Sequence, residues 1–395
     1  MDAIQKLNHF YEEKLSISEV KEYLKQYDGQ IDGFIIYGCG PLGNYLKDIL
    51  QQLSVNLLGY VDDFYTGTQW DGIPVYSMQE VAAKFSKVSI ILTPHYENNK
   101  RIMREKIEQT YAAGEVSCDI LDKNVLLYAA HGYSLDREKN QVGNIFEKTD
   151  LIVSNCCTLN CEGCSVCIPY VKKEHFELDK VKKDISKMND LVDYIAVLEV
   201  MGGEPLLYPS MAELIDYISG LSNIYVIMID TNGTVVPTEE VLEAMERNHV
   251  LVHITDYGEI SGKKDILLEK CKEKNIYCTI REVGDWADLG DIKDYESENN
   301  DTKFQSCYAA VECANIYRGR WHICPRDAKY VDMDLFSPCE DEFIELHNDL
   351  SEDKKRKKLY DLSHREKAIA SCRFCKGTDG KISGGVQLKD VKQDM

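Results

Sequence analysis

Apolar positions along the chain fall into two blocks in which short apolar runs alternate with helical stripes, separated by a polar stretch. The first block opens with a helical pattern over residues 1–30, where Ile4, Leu7, Phe10 and Tyr11 share one face. "GFIIYGCGPLGNYLKDIL" predicts a strand, a glycine turn and a helix. "VNLLGYVDD" and "VSIILTP" predict two more strands, followed by a helix from about Asn98 to Gln109 and a short strand "VSCDIL". This alternation predicts a small doubly wound α/β domain over residues 1–125. Residues 126–148 are polar and irregular and predict a linker.

The second block, residues 149–298, offers strands near Leu151–Ser154, Tyr194–Glu199, Tyr225–Ile229, Leu251–Ile254 and Tyr277–Ile280. Helical stripes lie between them: Leu178, Val181, Ile185 and Met188 make one face, and Met211, Leu214, Ile215 and Ile218 another. Repeated βα units with short connections predict a parallel barrel or partial barrel. From residue 299 to 395 the pattern breaks into a segment rich in Cys, Asp and Lys, which predicts a small module held together by its ligands.

Composition narrows the chemistry. With 44% hydrophobic and 29% charged residues among 395, the chain is expected to be globular. No apolar run reaches the ~18 residues of a membrane span. The start, "MDAIQKLNHFYEEKLS", lacks the basic and apolar parts of a signal peptide, so a cytoplasmic location is expected. Fifteen cysteines, an odd number, point in a reducing compartment to metal or redox chemistry rather than a disulfide framework. A net charge of −21, from 46 basic and 67 acidic residues, disfavours nucleic acid or an anionic membrane as partner.

Five cysteines crowd into "CCTLNCEGCSVC". Among them Cys157, Cys161 and Cys164 form C-x3-C-x2-C directly after a predicted strand. Three thiolates can hold three irons of a cubane that normally takes four cysteines, leaving one iron open. A structural zinc site instead asks for four ligands, usually from two separate C-x2-C units. Cys156 and Cys167 fall outside this spacing and read as buried or spare thiols.

This motif, placed after the first strand of a parallel βα barrel, resembles the signature of the radical SAM superfamily, which implies a partial (β/α)6 barrel. "MGGEPLLYP" at the end of the second strand is similar to the family's GGEP motif, and "DTNGT" after the third resembles a frequent family loop. The resemblance implies a 4Fe–4S cluster on Cys157, Cys161 and Cys164, with S-adenosylmethionine on the open iron. It places Gly202, Gly203 and Asn232 at the cofactor, and Glu204 as acceptor for the methionyl ammonium. It implies a reaction begun by hydrogen abstraction by a 5′-deoxyadenosyl radical, with an external electron donor such as flavodoxin or ferredoxin. The residue before the third cysteine is often aromatic in the family and here is Gly163, so packing in that loop is expected to differ.

A second cysteine set follows: Cys307, then Gly319 after eleven residues, Cys324 after four more, and later Cys372 and Cys375. C-x11-G-x4-C … C-x2-C resembles the Twitch module, the shorter relative of the SPASM domain. The resemblance implies a β-hairpin turning at Gly319, a helix, and a second, fully ligated 4Fe–4S cluster. A four-thiolate zinc site is the rival, and Cys313 and Cys339 are substitutes for Cys307. The spacing is similar to that of dehydrogenases of aminoglycoside precursors, which implies a two-electron oxidation. Modification of a peptide or protein side chain and a non-catalytic, metal-stabilised binding module are the alternatives.

Near the N-terminus, Gly38, Gly40 and Gly43 form G-x-G-x-x-G between a strand and a helix, and Asp62 ends the next strand. That context fits a Rossmann-like site for a dinucleotide or sugar nucleotide, or a degenerate domain used for docking. The stretch from Phe34 to Val75 resembles domains of sugar-nucleotide enzymes, which implies a carbohydrate or similar small polar metabolite as substrate. Further candidates are Trp286 as a cavity wall or core packing, Arg281 as a carboxylate clamp or solvated cation, and Tyr257 as hydrogen donor or packing group. His253 reads as a core histidine, and "DKKRKK", Asp353 to Lys358, as a solvated helix face.

Overall fold

The computed structural model describes residues 17–39, 41–63, 65–70, 72–93, 97–111, 116–117, 126, 144–295, 299–307 and 309–388. The chain divides into two compact units, residues 1–143 and 144–395.

In the first unit the strands are β1 (Gly33–Tyr37), β2 (Leu57–Val61), β3 (Gln69–Trp70), β4 (Ile73–Tyr76), β5 (Val88–Leu92) and β6 (Val116–Ser117). They form one sheet in the order β3-β4-β2-β1-β5-β6, parallel except for β3 against β4. Every residue of β1 and β5 is buried, as continuous apolar runs at the centre of a parallel sheet should be. Strand order reverses at β1, the place where doubly wound sheets open a crevice. One expected strand is shorter than predicted and another is described only in part. "VNLLGYVDD" contributes only Leu57–Val61, and "VSCDIL" only its first two residues, the rest lying outside the described residues. Of the expected 1–30 helix, Ile17–Leu24 is helical and continues into a 3-10 turn, while 1–16 lie outside the described residues.

The second unit is a mixed α/β body on an eight-stranded sheet ordered β11-β10-β9-β8-β7-β13-β14-β15. Five parallel strands come first: β7 (Ile145–Ser154), β8 (Tyr194–Gly202), β9 (Ile224–Thr231), β10 (Leu251–Asp256) and β11 (Cys278–Glu282). Helices Leu178–Leu191, Met211–Ser219, Glu239–Arg247 and Lys264–Glu273 connect them. One sheet face, with Leu151, Val153, Leu198, Val200, Ile229, Val252 and Ile254, packs on apolar stripes such as Val181, Ile185, Met188, Leu214 and Ile215. Alternation sends Lys148, Asp150, Glu199, Asp230 and Thr255 to the opposite face.

Strand β7 starts at Ile145, inside the stretch expected to be linker. Its polar residues concealed it, and the structure pairs them. Lys148 bonds Glu199 and lies 2.9 Å from Asp150, all three buried. Thr149 Oγ1 donates to Ala314 O at 3.0 Å.

The C-terminal hairpin is likewise not separate from the barrel. Strands β13 (Asn315–Tyr317) and β14 (Arg320–His322) turn through Arg318 and Gly319, both with positive φ, the geometry of a two-residue hairpin loop. β13 pairs in parallel with β7 and β15 (Phe343–Glu345) extends the sheet beyond β14. Trp321, fully buried, donates to Thr149 Oγ1 at 3.1 Å and meets Phe146 edge-on at 5.5 Å. The run "DKKRKK" is not wholly solvated: Lys355 is buried and donates to Leu346 O and Asn348 O. No helix among the described residues is long and apolar enough to cross a membrane.

Replacing Trp321 with Ala should destabilise the second unit by about 3–5 kcal/mol, by loss of a large core side chain. Trp321→Phe, which loses mainly the bond to Thr149, should cost about 1 kcal/mol. Denaturant titration of the full chain checks both values.

Candidate functional site

The loops that follow β7, β8 and β9 meet at one end of the parallel sheet. After Ser154 the chain enters the cysteine loop, where Ser154 Oγ accepts from Cys156 N at 2.9 Å. The end of β8 lies directly against it: Gly203 N donates to Ser154 O at 3.0 Å and Glu204 N to Cys156 O at 2.8 Å. A Cβ on Gly203 would stand 2.2 Å from Cys156 O and 2.8 Å from Cys157 Cβ, so a side chain there would force the two loops apart. Gly202 meets Ser154 O with the same closeness.

Cys157, Cys161 and Cys164 lie within electrostatic reach of one another. Burial pushes the Cys157 thiol up to about 12 and the Cys161 thiol up to about 11. Burial also raises Cys164, opposed by amide bonds from Ile168 and Val166 and by Lys329 and Arg326. Such thiols stay protonated until a metal takes the proton's place.

Glu204 is fully buried, and among the described residues no cation bonds its carboxyl. Its carboxyl accepts from Leu206 N at 3.1 Å, Thr231 Oγ1 at 2.8 Å and Asn232 N at 2.9 Å. Burial raises it to about 7 against the pull of those donors. Asn232 continues the chain of contacts: Nδ2 faces Cys157 Sγ at 3.6 Å and donates to Thr158 Oγ1 at 3.2 Å. Thus the GGEP and TNG loops brace the cysteine loop.

Beyond these loops lies the polar face of the sheet. Thr255 Oγ1 donates to Asp230 Oδ1 at 3.1 Å, and His253 Nδ1 and Thr279 Oγ1 are 2.8 Å apart. Burial, then the neighbouring Glu199, lifts Asp230 well above the ordinary carboxylate range. Burial and Arg281 push His253 down to about 4, so it is one member of a polar cluster rather than an isolated core histidine. Arg281 is exposed yet within electrostatic reach of Asp230. Tyr257 and Trp286 pack edge-to-face at 5.9 Å, and Tyr257 lies within electrostatic reach of all three cysteines and Asp230.

Cys307, Cys324, Cys372 and Cys375 form the second group. Cys324 interacts with Cys307 and Cys372, and Cys372 with Cys307 and Cys375. Cys324 precedes the helix Pro325–Asp332, and burial raises its thiol. Gly377 N donates to Cys375 Sγ at 3.3 Å. Cys339 is exposed and Cys313 half-buried. Buried Cys167 is within reach of both Cys164 and Cys375, so it stands between the two groups.

Do the donors suit iron–sulfur chemistry? Both groups are all-thiol, the soft set such clusters take. Between them sits Arg326, buried, with Nη1 lacking a hydrogen-bond partner while the guanidinium faces Cys164, Cys167 and Cys375. Lys329 is also buried, donating to Asn155 Oδ1 and lying 3.7 Å from the Tyr317 ring centre. Burial pushes Lys329 down to about 7, and thiolates formed beside Arg326 and Lys329 would favour their charged forms. Among the described residues no three His, Cys, Asp or Glu side chains converge on the position of a single metal ion. A cubane, in which each thiolate binds its own iron, asks for a wider spread than one ion does. The cysteine groups therefore fit clusters by donor type and charge.

In the first unit Gly38 has φ +110 and Gly43 packs on its carbonyl, while Gly40 lies outside the described residues. Asp62 is buried, and its Oδ2 accepts from Cys39 N at 3.2 Å, holding the glycine loop.

Sequence reasoning missed Lys148, Glu199 and Asp230, although charged residues at alternate positions of apolar strands were a visible signal. It also missed Arg326 and Lys329, whose roles arise only from contacts distant in sequence.

Residues 151–287 match the family model described as the Radical SAM superfamily. Solved structures similar to this chain include BtrN in complex with AdoMet and 2-DOIA, at 17% identity over 64% of this chain and 98% of that one, with a TM-score of 0.36. Another is native anSMEcpe with bound AdoMet and Kp18Cys peptide, at 22% identity over 35% of this chain and 44% of that one, TM-score 0.29. The match thus spans less than half of that anSMEcpe chain. Streptococcus suis SuiB bound to precursor peptide SuiA is similar at 13% identity over 71% of this chain and 83% of that one, TM-score 0.32. No curated protein matches the chain.

If Asp230 holds its proton in the native state, stability should fall as pH rises from the ordinary carboxylate pKa, 3.8, through about 8, because only the unfolded state releases that proton across the window. Asp230→Asn should flatten this slope and gain on the order of a few kcal/mol at the alkaline end. Denaturation midpoints of both chains across this pH range measure it.

Proposed function

Through residues 151–287 the chain belongs to the radical SAM superfamily, whose members use a 4Fe–4S cluster and S-adenosylmethionine, and from that premise we propose an enzyme that oxidises or rearranges a polar small molecule. Cys157, Cys161 and Cys164 hold the cluster. When bound, cluster and S-adenosylmethionine together supply a carbon-centred radical that removes a hydrogen atom from substrate. The observation that carries this reading is the meeting of the three cysteines with Gly203, Glu204 and Asn232 at the ends of three adjacent parallel strands.

The protein's own residues do the positioning. Glu204 fixes the two loops that brace Cys157. Its acceptor positions are engaged by Leu206, Thr231 and Asn232, so its part at the cofactor is to organise these loops as well as to face the methionyl group. Tyr257, in edge-to-face contact with Trp286 and within electrostatic reach of the three cysteines, is assigned with Trp286 to the substrate side of the site. Lys148, Asp150, Glu199 and Asp230 put polar, ionisable groups on the sheet face that leads to this end, with Arg281 within reach of Asp230, which suits a hydroxyl- or amine-bearing substrate such as a carbohydrate or nucleotide-linked sugar. Cys307, Cys324, Cys372 and Cys375 hold a second, closed cluster, whose chemistry when bound is one-electron transfer. A small redox protein such as flavodoxin or ferredoxin delivers the electrons. The glycine loop around Gly38, Gly40 and Gly43 binds a phosphate-bearing ligand, in keeping with its place beside the strand-order reversal.

Anaerobic incubation of the reconstituted full chain with S-adenosylmethionine and a strong reductant should release 5′-deoxyadenosine. With deuterated carbohydrates as candidate substrates, label should enter the deoxyadenosine. The C157A/C161A/C164A variant should lose nucleoside release by at least about a hundredfold, about 2.7 kcal/mol of barrier. It should keep about four irons, those of the second cluster. Undiminished nucleoside release from that variant would overturn the proposal.

A further inference from the structure

The cysteine loop is gripped by a segment more than two hundred residues away in sequence. Strand β16 (Lys381–Ser383) pairs antiparallel with β12 (Asp285–Ala287), setting Ile382 opposite Trp286. The chain then passes through Gly384 and Gly385 and runs antiparallel along the cysteine loop, with Gln387 opposite Cys161. Glu162 N donates to Val386 O at 2.7 Å, and Leu388 N donates to Asn160 O at 2.8 Å.

The Gln387 side chain fills the remaining gap. Asn160 N donates to Gln387 Oε1 at 2.8 Å. Its Nε2 donates to Gly385 O at 2.8 Å and to Cys161 Sγ at 3.1 Å. This network fixes which way the amide points. A backbone N–H can only donate, so the oxygen must face Asn160, and both amide hydrogens are left for the carbonyl and the sulfur.

Two further contacts show that the fit is close. A Cβ on Gly385, which has φ +76, would stand 2.3 Å from Tyr257 Cδ1, so only glycine lets the segment pass that ring. A Cβ on Gly163 would stand 2.2 Å from Ile382 Cδ1. Ile382 therefore takes the space that a side chain before the third cysteine would fill, which accounts for glycine at that position.

We propose that Gln387 is a positioning residue for the cluster: the segment Lys381–Leu388 completes the cysteine loop, and the Gln387 amide bonds the Cys161 sulfur and raises the reduction potential of the cluster bound there. The physical reason is charge. Reduction adds negative charge to cluster and thiolate, and an N–H donor aimed at the sulfur stabilises that form more than the oxidised one. The same bond holds Cys161 in place, since Asn160, Cys161 and Glu162 are all tied to one strand. The proposal rests on Cys157, Cys161 and Cys164 being cluster ligands.

The test is a redox titration of the anaerobically reconstituted full chain, followed by electron paramagnetic resonance. The signal to follow is the one that changes on adding S-adenosylmethionine, which separates this cluster from a closed one. Gln387→Leu removes both donor and acceptor. Gln387→Glu keeps the acceptor for Asn160 N and removes the donor. In each the reduced-to-oxidised ratio at a fixed poise should fall about tenfold, a shift of about 59 mV for one electron. Amide exchange at Asn160 should quicken in the Leu variant and less in the Glu variant. A wild-type potential in both variants would overturn the proposal, whatever happens to exchange. Should the Leu variant take up no iron, the Glu variant alone decides, by the same potential. If the wild-type chain gives no signal responsive to S-adenosylmethionine, the ligand assignment itself is overturned, and the role of Gln387 with it.

Discussion

Glu204 is a buried carboxylate whose hydrogen-bond network holds only neutral donors, and the candidate site is arranged around it. A carboxyl in that position is costly to bury and is tolerated only because Leu206, Thr231 and Asn232 direct their hydrogens at it. Leu206 comes from the loop after β8, Thr231 ends β9, and Asn232 opens the loop that follows it. Asn232 in turn faces Cys157, and the backbone of Gly203 and Glu204 lies on the cysteine loop. Three loops from three strands are thus locked to one another before any ligand arrives. Preorganisation of this kind is what a cofactor site needs if its geometry is to survive ligand exchange.

The same unit carries a second polar arrangement, with a different logic. Alternation along β7 to β10 sends apolar residues to the helices and charged ones to the other face. Lys148 serves both Asp150 and Glu199, and Asp230 stands near Glu199 with Thr255 as its donor. Acidic groups outnumber cations there, so protons or a substrate must balance the charge. At the junction of the two cysteine groups the balance is reversed. Arg326 is a buried cation facing thiols, and burial pushes the neighbouring Lys329 down to about 7. Thiolates formed on metal binding would supply the missing negative charge, and metal binding and local stability are therefore coupled.

Much of this was legible in the sequence. The β/α alternation gave both parallel sheets, since apolar runs of four to six residues between helical stripes have few other solutions. The cysteine trio, GGEP and TNG stood out because their spacing ties them to strand ends. Strand β7 was read too short, because the polar run Lys148, Thr149 and Asp150 does not look like a strand until its partners Glu199 and Trp321 are known. The hairpin around Gly319 was visible as a hairpin, but its pairing with β7 was not, since Asn315 and Asp150 are far apart in the chain. Nothing in "GGVQL" announces Gln387 as a partner of Cys161. Such a contact exists only after β12 and β16 have paired.

Iron and sulfide analysis of the anaerobically reconstituted full chain, with spectra taken before and after adding S-adenosylmethionine, addresses the central claim most directly. The account predicts about eight irons per chain, for two cubanes, and a cluster spectrum that changes when S-adenosylmethionine binds. Zinc in place of iron, or a spectrum indifferent to S-adenosylmethionine, would contradict it.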